Sequence, residues 1–448
     1  LRAVKAPRSR PGSGDAGDDA TSSSGCGSRA ILPRTPRGGE ADAKSFFFTR
    51  AMNDAEAIAG IAPPRYDGAS LLNLAATLSA SLGVPPSYPL LADAPLREAM
   101  LGARHLVLWL IDGLGVEPLQ ALAPRSALAA AMRGEVEAIF PSSTAPTLTM
   151  LATGRSPAAN AAPEWFLWLD ELGGVYRSLP LDAREPGAGR PPIRDATAIY
   201  PQPSLAARSG RRCFAVLPQS IADTVYSRYA HAGAGRLAYR DAAGFVDAVA
   251  EALTAGGDGS HVFAYVDAFD AAAHEFGVDS REARAVVSGL DRIFEKLSAV
   301  AASCGALLVV TADHGFLDVP PERRFHLEAF AGVAECLDRP LCGGPRAPFA
   351  YVKPGWVADF AAVVDSALGD HFVAIASAAL ARAGWFGPEA PDPRLLARIG
   401  THVLLPKSDA YLLQFLPGER VMPLIGMHGG RLAAETRVPL IVAGAGAP

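Results

Sequence analysis

Cysteine is scarce in this chain and carries no pattern. Five cysteines among 448 residues, Cys26, Cys213, Cys304, Cys336 and Cys342, are odd in number and show no CxxC spacing, which excludes a disulfide framework and a thiolate zinc site. Long apolar runs are also missing. The best charge-free stretch, Ser298 to Ala312, contains Ser, Cys and Gly and falls short of the roughly 18 to 20 residues a bilayer demands. The early arginines and lysines are not followed by an apolar segment of about 7 to 15 residues, and Phe46-Phe47-Phe48 is too short for one. No membrane contact and a cytoplasmic location are therefore expected. There is no excess of positive charge: 41 Lys and Arg face 46 Asp and Glu, for a net charge of −5, so nothing electrostatic favours a nucleic acid polymer. A P-loop, a GxSxG elbow and a GxGxxG behind an apolar run are all lacking, which removes support for an ATPase, a serine esterase or a dinucleotide dehydrogenase.

What the chain does have is apolar bulk. Half of its residues are hydrophobic and 19% are charged, enough for a large core. Residues 1–51 stand apart: rich in Gly, Ser, Pro and Arg, beginning on Leu, with the first methionine at Met52. They read as a disordered tail or an over-extended reading frame. From there the pattern is globular. Helices are expected over Leu71 to Leu82, over Asp241 to Thr254 with Phe245, Val249 and Leu253 on one stripe, and over Ser280 to Ser303 with Val286, Leu290, Ile293, Leu297 and Val300 inward.

Three apolar runs each stop on groups that carry chemistry. Leu106 to Ile111 ends on Asp112-Gly113. His261 to Val266 leads into Asp267-Ala268-Phe269-Asp270 and His274, where Asp270 and His274 share a helical face. Leu307 to Ala312 ends on Asp313-His314-Gly315. Runs of this kind read as buried parallel strands whose carboxyl ends form the ligand edge of an open α/β sheet. A further short run, Val136 to Phe140, precedes Ser142-Ser143-Thr144-Ala145-Pro146. Proline is tolerated in a helix's first turn, so Thr144 is expected near a helix N-terminus that ends at Gly154, where free N–H groups favour an anion. Thr147 and Thr149 are the competing hydroxyls. From Glu322 to Asp409 the pattern turns irregular, with many prolines and glycines, before Met427-His428-Gly429-Gly430 and a last strand over Val438 to Val442.

Asp112, Asp270, His274, Asp313, His314 and His428 form an oxygen and imidazole set suited to zinc, with Thr144 as one added hydroxyl. Two metals about 4 Å apart can clamp the attacking and leaving oxygens of an in-line phosphoryl displacement. The order Asp, Thr, Asp-x-x-x-His, Asp-His-Gly, His-Gly-Gly resembles the nucleotide pyrophosphatase/phosphodiesterase family of the alkaline phosphatase superfamily, from about Tyr66 to the C-terminus. Thr144-Ala145-Pro146 with Thr153-Gly154, Ala312-Asp313-His314-Gly315 and Met427-His428-Gly429-Gly430 carry the likeness.

The resemblance implies an α/β/α sandwich around a mostly parallel central sheet. Its catalytic domain would run over residues 52–321 and 410–448, with a cap inserted at 322–409. It implies two zinc ions, with manganese or another divalent metal as alternatives. Asp112, Asp313 and His314 would hold one zinc, which also binds and activates Thr144; Asp270, His274 and His428 would hold the second. Thr144 would then attack phosphorus, giving a covalent phospho-threonine that water hydrolyses. The implied substrate is a small phosphate ester, nucleotide-like, cleaved at a phosphodiester or pyrophosphate bond. Asn160-Ala161 stands where the family often has His-Gly, and Trp165 where many diesterases have a phosphate-binding Asn, so a phosphomonoesterase or phosphonate hydrolase on the same metals is the first alternative. A catalytically silent metal-containing protein is the second. The formylglycine motif of a sulfatase is absent. Asp267 either orients His274 or ends its strand. His105, His231, His261, His326, His371 and His402 are expected to be structural or superficial, with His326 able to reach the site from the cap. Trp165, Phe166 and Trp168 are expected to pack against the core rather than stack on a base.

Overall fold

A computed structural model describes residues 60–448 apart from Ala188 and residues 420–423. The tail at 1–51 and the start at Met52 lie outside the described residues. Seven strands form the central sheet: β1 (His105–Ile111), β2 (Met132–Glu137), β3 (Arg212–Pro218), β4 (Gly235–Tyr239), β5 (Ser260–Val266), β6 (Ala306–Thr311) and β7 (Arg437–Gly444). They lie in the order β2-β7-β6-β1-β5-β3-β4. All neighbours from β6 to β4 pair in parallel, while β7 runs antiparallel to both β6 and β2.

Parity along β1 explains the layers. Leu106, Leu108 and Leu110 join the core on one face of the sheet, and Val107, Trp109 and Ile111 join the core on the other. A strand covered on both faces needs apolar residues at every position rather than at alternate ones, and β1 is buried throughout. The first face is covered by α1 (Leu71–Ser81) and α2 (Thr144–Thr153). The second is covered by α3 (Ala242–Ala255), α4 (Ala268–Phe276) and α5 (Arg281–Ser303). Helix α3 buries the expected Phe245, Val249 and Leu253. Helix α5 is rotated slightly from expectation: Val287, Leu290, Phe294 and Leu297 are fully inward, and Val286, Ile293 and Val300 flank them half-buried. The wider stripe of a surface helix on a sheet accounts for the shift.

A six-stranded antiparallel sheet lies beside the first. Its order is Phe372–Ala376, His402–Pro406, Ala347–Ala350, Cys342–Gly344, Phe166–Leu169 and Gly174–Arg177. Four strands come from the irregular stretch between Glu322 and Asp409, and two come from the segment after α2. The sheet is thus built from both stretches. Strand β2 begins four residues earlier than the expected Val136. It is an edge strand, half-exposed over Met132 to Glu135, so its apolar signal is weak. Among the described residues no helix is long and apolar enough to cross a membrane.

Candidate metal centre

Adjacent strands β6, β1 and β5 all end at the same edge, and each delivers acids or imidazoles there. Asp112 follows β1, and its backbone N–H still donates to Val266 at 2.9 Å. Asp313 and His314 follow β6. Asp270 and His274 lie one turn apart on α4, directly after β5. His428 comes from the two-residue strand Gly426–Met427, which pairs with Leu317–Asp318 just beyond His314. Thr144 is the first residue of α2, with Ser143 as its N-cap. The helix closes at Gly154, whose φ of 66° is left-handed and where a side chain would collide with Ser79.

The side chains converge. Thr144 Oγ1 lies 3.2 Å from Asp112 Oδ1 and 3.1 Å from His314 Nε2. His314 Nε2 is 3.4 Å from both Asp112 Oδ1 and Asp313 Oδ2. Asp270 Oδ1 sits 3.4 Å from His274 Nε2 and 3.7 Å from His428 Nε2. Two groups of three have donor atoms all within 4.8 Å of one another: Asp112, Asp313 and His314, and Asp270, His314 and His428. His314 belongs to both, which makes the centre one continuous cluster. His274 reaches it through Asp270, from the far side.

Each imidazole is held in one tautomer. Nδ1 of His274 faces the Gly426 carbonyl at 2.9 Å, that of His314 the Gly315 carbonyl at 3.0 Å, and that of His428 the Ser142 carbonyl at 3.1 Å. A carbonyl only accepts, so Nδ1 carries the proton and Nε2 presents a lone pair. The acid oxygens opposite, Asp270 Oδ1 and Asp313 Oδ2, are buried without a hydrogen-bond partner. A lone pair facing a lone pair at 3.4 Å is repulsive until a proton or a cation lies between. Because Gly426 rather than Asp267 holds Nδ1 of His274, Asp267 does not orient that ring.

The electrostatics follow from burial. Asp112 and Asp313, 3% and 0% exposed, are pushed well above the usual carboxylate range, Asp112 by burial and then the Asp270 charge, Asp313 by burial and then the Asp112 charge. Tyr265 donates its hydroxyl to Asp112 Oδ2, and Gly113 N–H donates to Asp313 Oδ1 at 2.9 Å. Burial also raises Asp270, but His274 and His428 outweigh it and hold that carboxyl below its usual range. His274 mirrors this: burial lowers it and Asp270 more than restores it. Burial, then His314 and His274, push His428 well below its ordinary value. Buried carboxylate oxygens facing imidazole lone pairs fit a hard or borderline divalent metal.

Two features escaped the reading of the sequence. Glu164 is 2% exposed, and burial, partly offset by the Ser143 hydroxyl and by His314, pushes it up to about 7. Its Oε2 has no partner. The signal was a lone acid between Ala161-Ala162-Pro163 and Trp165-Phe166-Leu167. The second feature is a cavity of about 430 Å³ that opens at Asp112, Thr144 and Asp270 and is lined also by Trp165, His231 and His261. Trp165 thus faces the cavity, while Phe166 and Trp168 pack, as expected, on the core of the six-stranded sheet around Phe349 and Val403. The other histidines are tied elsewhere: His105 to Ser260, His371 to Ser408, His402 to Thr401, and His326 stacks on Phe415.

An open, mostly parallel sheet with acids and imidazoles at its carboxyl edge, beside a hydroxyl on a helix N-terminus, defines an alkaline phosphatase-like phosphoester hydrolase. Residues 106–430 match the family model of type I phosphodiesterase / nucleotide pyrophosphatase, and the chain belongs to that family. No curated protein matches it significantly. Among solved structures it is similar to murine ectonucleotide pyrophosphatase/phosphodiesterase 5, at 18% identity and a TM-score of 0.58 over 76% of this chain and 88% of that one. An inactive threonine-to-alanine form of the same murine protein, in complex with AMP, gives 0.57 at 18% identity over the same shares of the two chains. Phosphonoacetate hydrolase from Sinorhizobium meliloti 1021, in complex with phosphonoformate, gives 0.53 at 16% identity over 77% of this chain and 91% of that one. At such identities the likeness speaks for the fold.

Proposed function

We propose that this chain is a di-zinc phosphodiesterase or pyrophosphatase working through a covalent phospho-threonine at Thr144. The observation that carries the reading is the place of Thr144 Oγ1, 3.2 Å from Asp112 Oδ1 and 3.1 Å from His314 Nε2, on the first residue of a helix whose free N–H groups would face a phosphate there. The inactive threonine-to-alanine form of the murine relative supports the same role. Asp112, Asp313 and His314 would hold one cation, and Asp270, His274 and His428 the second. When bound, divalent cations supply the positive charge that makes a hydroxyl nucleophilic at neutral pH and balances the phosphoryl oxygens.

The chain's own groups do the rest. Thr144 Oγ1 bonds to phosphorus as the bond to the leaving oxygen breaks, and the hydroxyl proton passes through solvent to that oxygen, which departs as the alcohol or phosphate. Water then cleaves the phospho-threonine, releasing the phosphoryl product and restoring the hydroxyl. Backbone carbonyls of Gly315, Gly426 and Ser142 keep the three imidazoles turned Nε2-inward throughout. A phosphomonoesterase or phosphonate hydrolase is the second reading, favoured by Trp165 standing where many diesterases have a phosphate-binding Asn. Metal analysis together with hydrolysis of bis-p-nitrophenyl phosphate against p-nitrophenyl phosphate tests both. Two zinc ions with faster diester cleavage are expected, and a clear monoester preference sinks the first reading in favour of the second.

A further inference from the structure

The cavity beside Thr144 has a composition that bears on what the phosphate ester carries, and the inference from it rests on the hydrolase reading above. On β5, side chains two apart share a face, and His261, Phe263 and Tyr265 all line the cavity. Tyr265, beside Asp112, lies four residue steps along the strand from His261, so the cleft runs about 13 Å down the sheet. Leu148 and Leu151 of α2 and, at the far end, Leu82 after α1 form the wall opposite. The cleft thus has a leucine roof over a mostly aromatic floor.

Charge narrows the occupant further. No Lys or Arg is among the cavity's lining residues. The polar groups away from Thr144 include His231, stacked on Phe263 at 5.2 Å, His261, whose Nε2 is buried without a partner, and the uncharged hydroxyls of Ser204 and Ser227, which are engaged with the Ala206 N–H and the Ile221 carbonyl. Burial, with nearby arginines, pushes both imidazoles down to about 4, so neither is a cation at neutral pH. A second phosphate or a carboxylate seated here would lose its hydration and gain no counter-charge, which is costly for any buried ion. An uncharged chain loses nothing on entry and gains its apolar burial.

We propose that this cleft receives a linear hydrocarbon chain carried by the phosphate ester, with the phosphate at Thr144 and the chain running along β5 toward His261 and Leu82. The enzyme's substrate class is then an alkyl or acyl-chain phosphoester rather than a nucleotide.

The test is titration calorimetry on the full zinc-loaded chain carrying Thr144→Ala, with ethyl, hexyl and decyl phosphate and with AMP. Affinity is expected to rise by roughly tenfold to a hundredfold from ethyl to hexyl and again to decyl, with AMP weaker than hexyl phosphate. Ala234→Phe, which adds bulk from a surface turn beside Leu82, is expected to remove most of the gain from hexyl to decyl. Equal affinity across the alkyl series, or AMP binding more tightly than decyl phosphate, overturns the proposal. Failure of the hydrolase reading has a separate signature: wild-type protein with zinc that cleaves neither p-nitrophenyl ester. The binding series still decides the occupant of the cleft in that case.

Discussion

The imidazoles of His314 and His428 stack with centroids 3.6 Å apart and planes inclined by 10°. Two cationic rings at that separation would repel strongly, and His428 is held well below its ordinary value by burial, His314 and His274. With both Nδ1 protons donated to carbonyls, the stacked pair turns its lone pairs toward the same acid cluster. A cation relieves this arrangement, so metal and fold are linked. Chelation is expected to abolish turnover and lower the denaturation midpoint. Zinc should restore both, by about 2.7 kcal/mol of stability at free metal a hundredfold above its dissociation constant. Full activity in protein shown by elemental analysis to be metal-free would contradict the proposed centre.

Thr144→Ala removes the hydroxyl and leaves Asp112 and His314 in place. Turnover is expected to fall at least about a thousandfold, as when a covalent nucleophile is lost, while metal content stays at the wild-type level. Thr144→Ser should regain a measurable part of the rate. Undiminished activity in the alanine variant would move the nucleophile to another group, Thr147 and Thr149 being the nearest hydroxyls on the helix. Both of those are buried, with Thr149 Oγ1 donating back to Ala145 at 2.8 Å.

Glu164 predicts a pH effect whose sign is fixed by its environment. Its folded-state value is raised from 4.5 to about 7 by burial, so the folded chain favours the protonated acid. That contribution is fully present below about pH 4.5 and is lost as pH rises through about 7, to the extent of about 3 kcal/mol. Glu164→Gln keeps the shape and cannot ionise. In metal-free protein, urea titrations at about pH 5 and about pH 8 should show the wild type losing stability relative to the variant at the higher pH. Parallel pH dependences would rule the buried acid out as the cause.

The central sheet was legible because its interior strands advertise themselves. Strands β1, β5 and β6 are apolar at nearly every position and stop on Asp112, Asp267 and Asp313, a pattern that burial on both faces requires. The same feature pointed to the candidate site residues, since acids just beyond such strands share one edge of the sheet. Short antiparallel strands carry no comparable signal. Cys342–Gly344 and Ala347–Ala350 contain Gly and Pro and are only three and four residues long; they pair with each other, but their place in the sheet depends on distant partners such as Phe166 and Val403. Edge strand β2 hides its start for a related reason, because Arg133 and Glu135 face solvent. Glu164 shows only as a lone acid between apolar segments, and the cleft not at all: the one gains its character from burial, the other from the gap between helices, and neither leaves a period in the chain.

Arg346 and Glu435 hold the loop that carries His428, and neither side chain is exposed at all. Arg346 binds both carboxylate oxygens, Nη2 to Oε2 at 2.7 Å, and its Nη1 donates to the Ser408 carbonyl at 2.9 Å. Glu435 in turn accepts from Gly430 N–H at 2.7 Å and from Leu432 N–H at 3.1 Å, fixing the chain two residues past His428. Arg346→Ala strands the carboxylate without a counter-charge, and about 3 to 5 kcal/mol of stability is expected to go with it. Metal affinity should fall as well, because the His428 loop loses its anchor. Adding Glu435→Gln removes the orphan charge but keeps an acceptor for Gly430 N–H, so the double variant is expected to recover a large part of the loss. Denaturant unfolding of the three proteins measures this directly. An alanine variant within about 1 kcal/mol of wild type would mean that water or rearrangement satisfies Glu435, and that the ion pair does not position the loop.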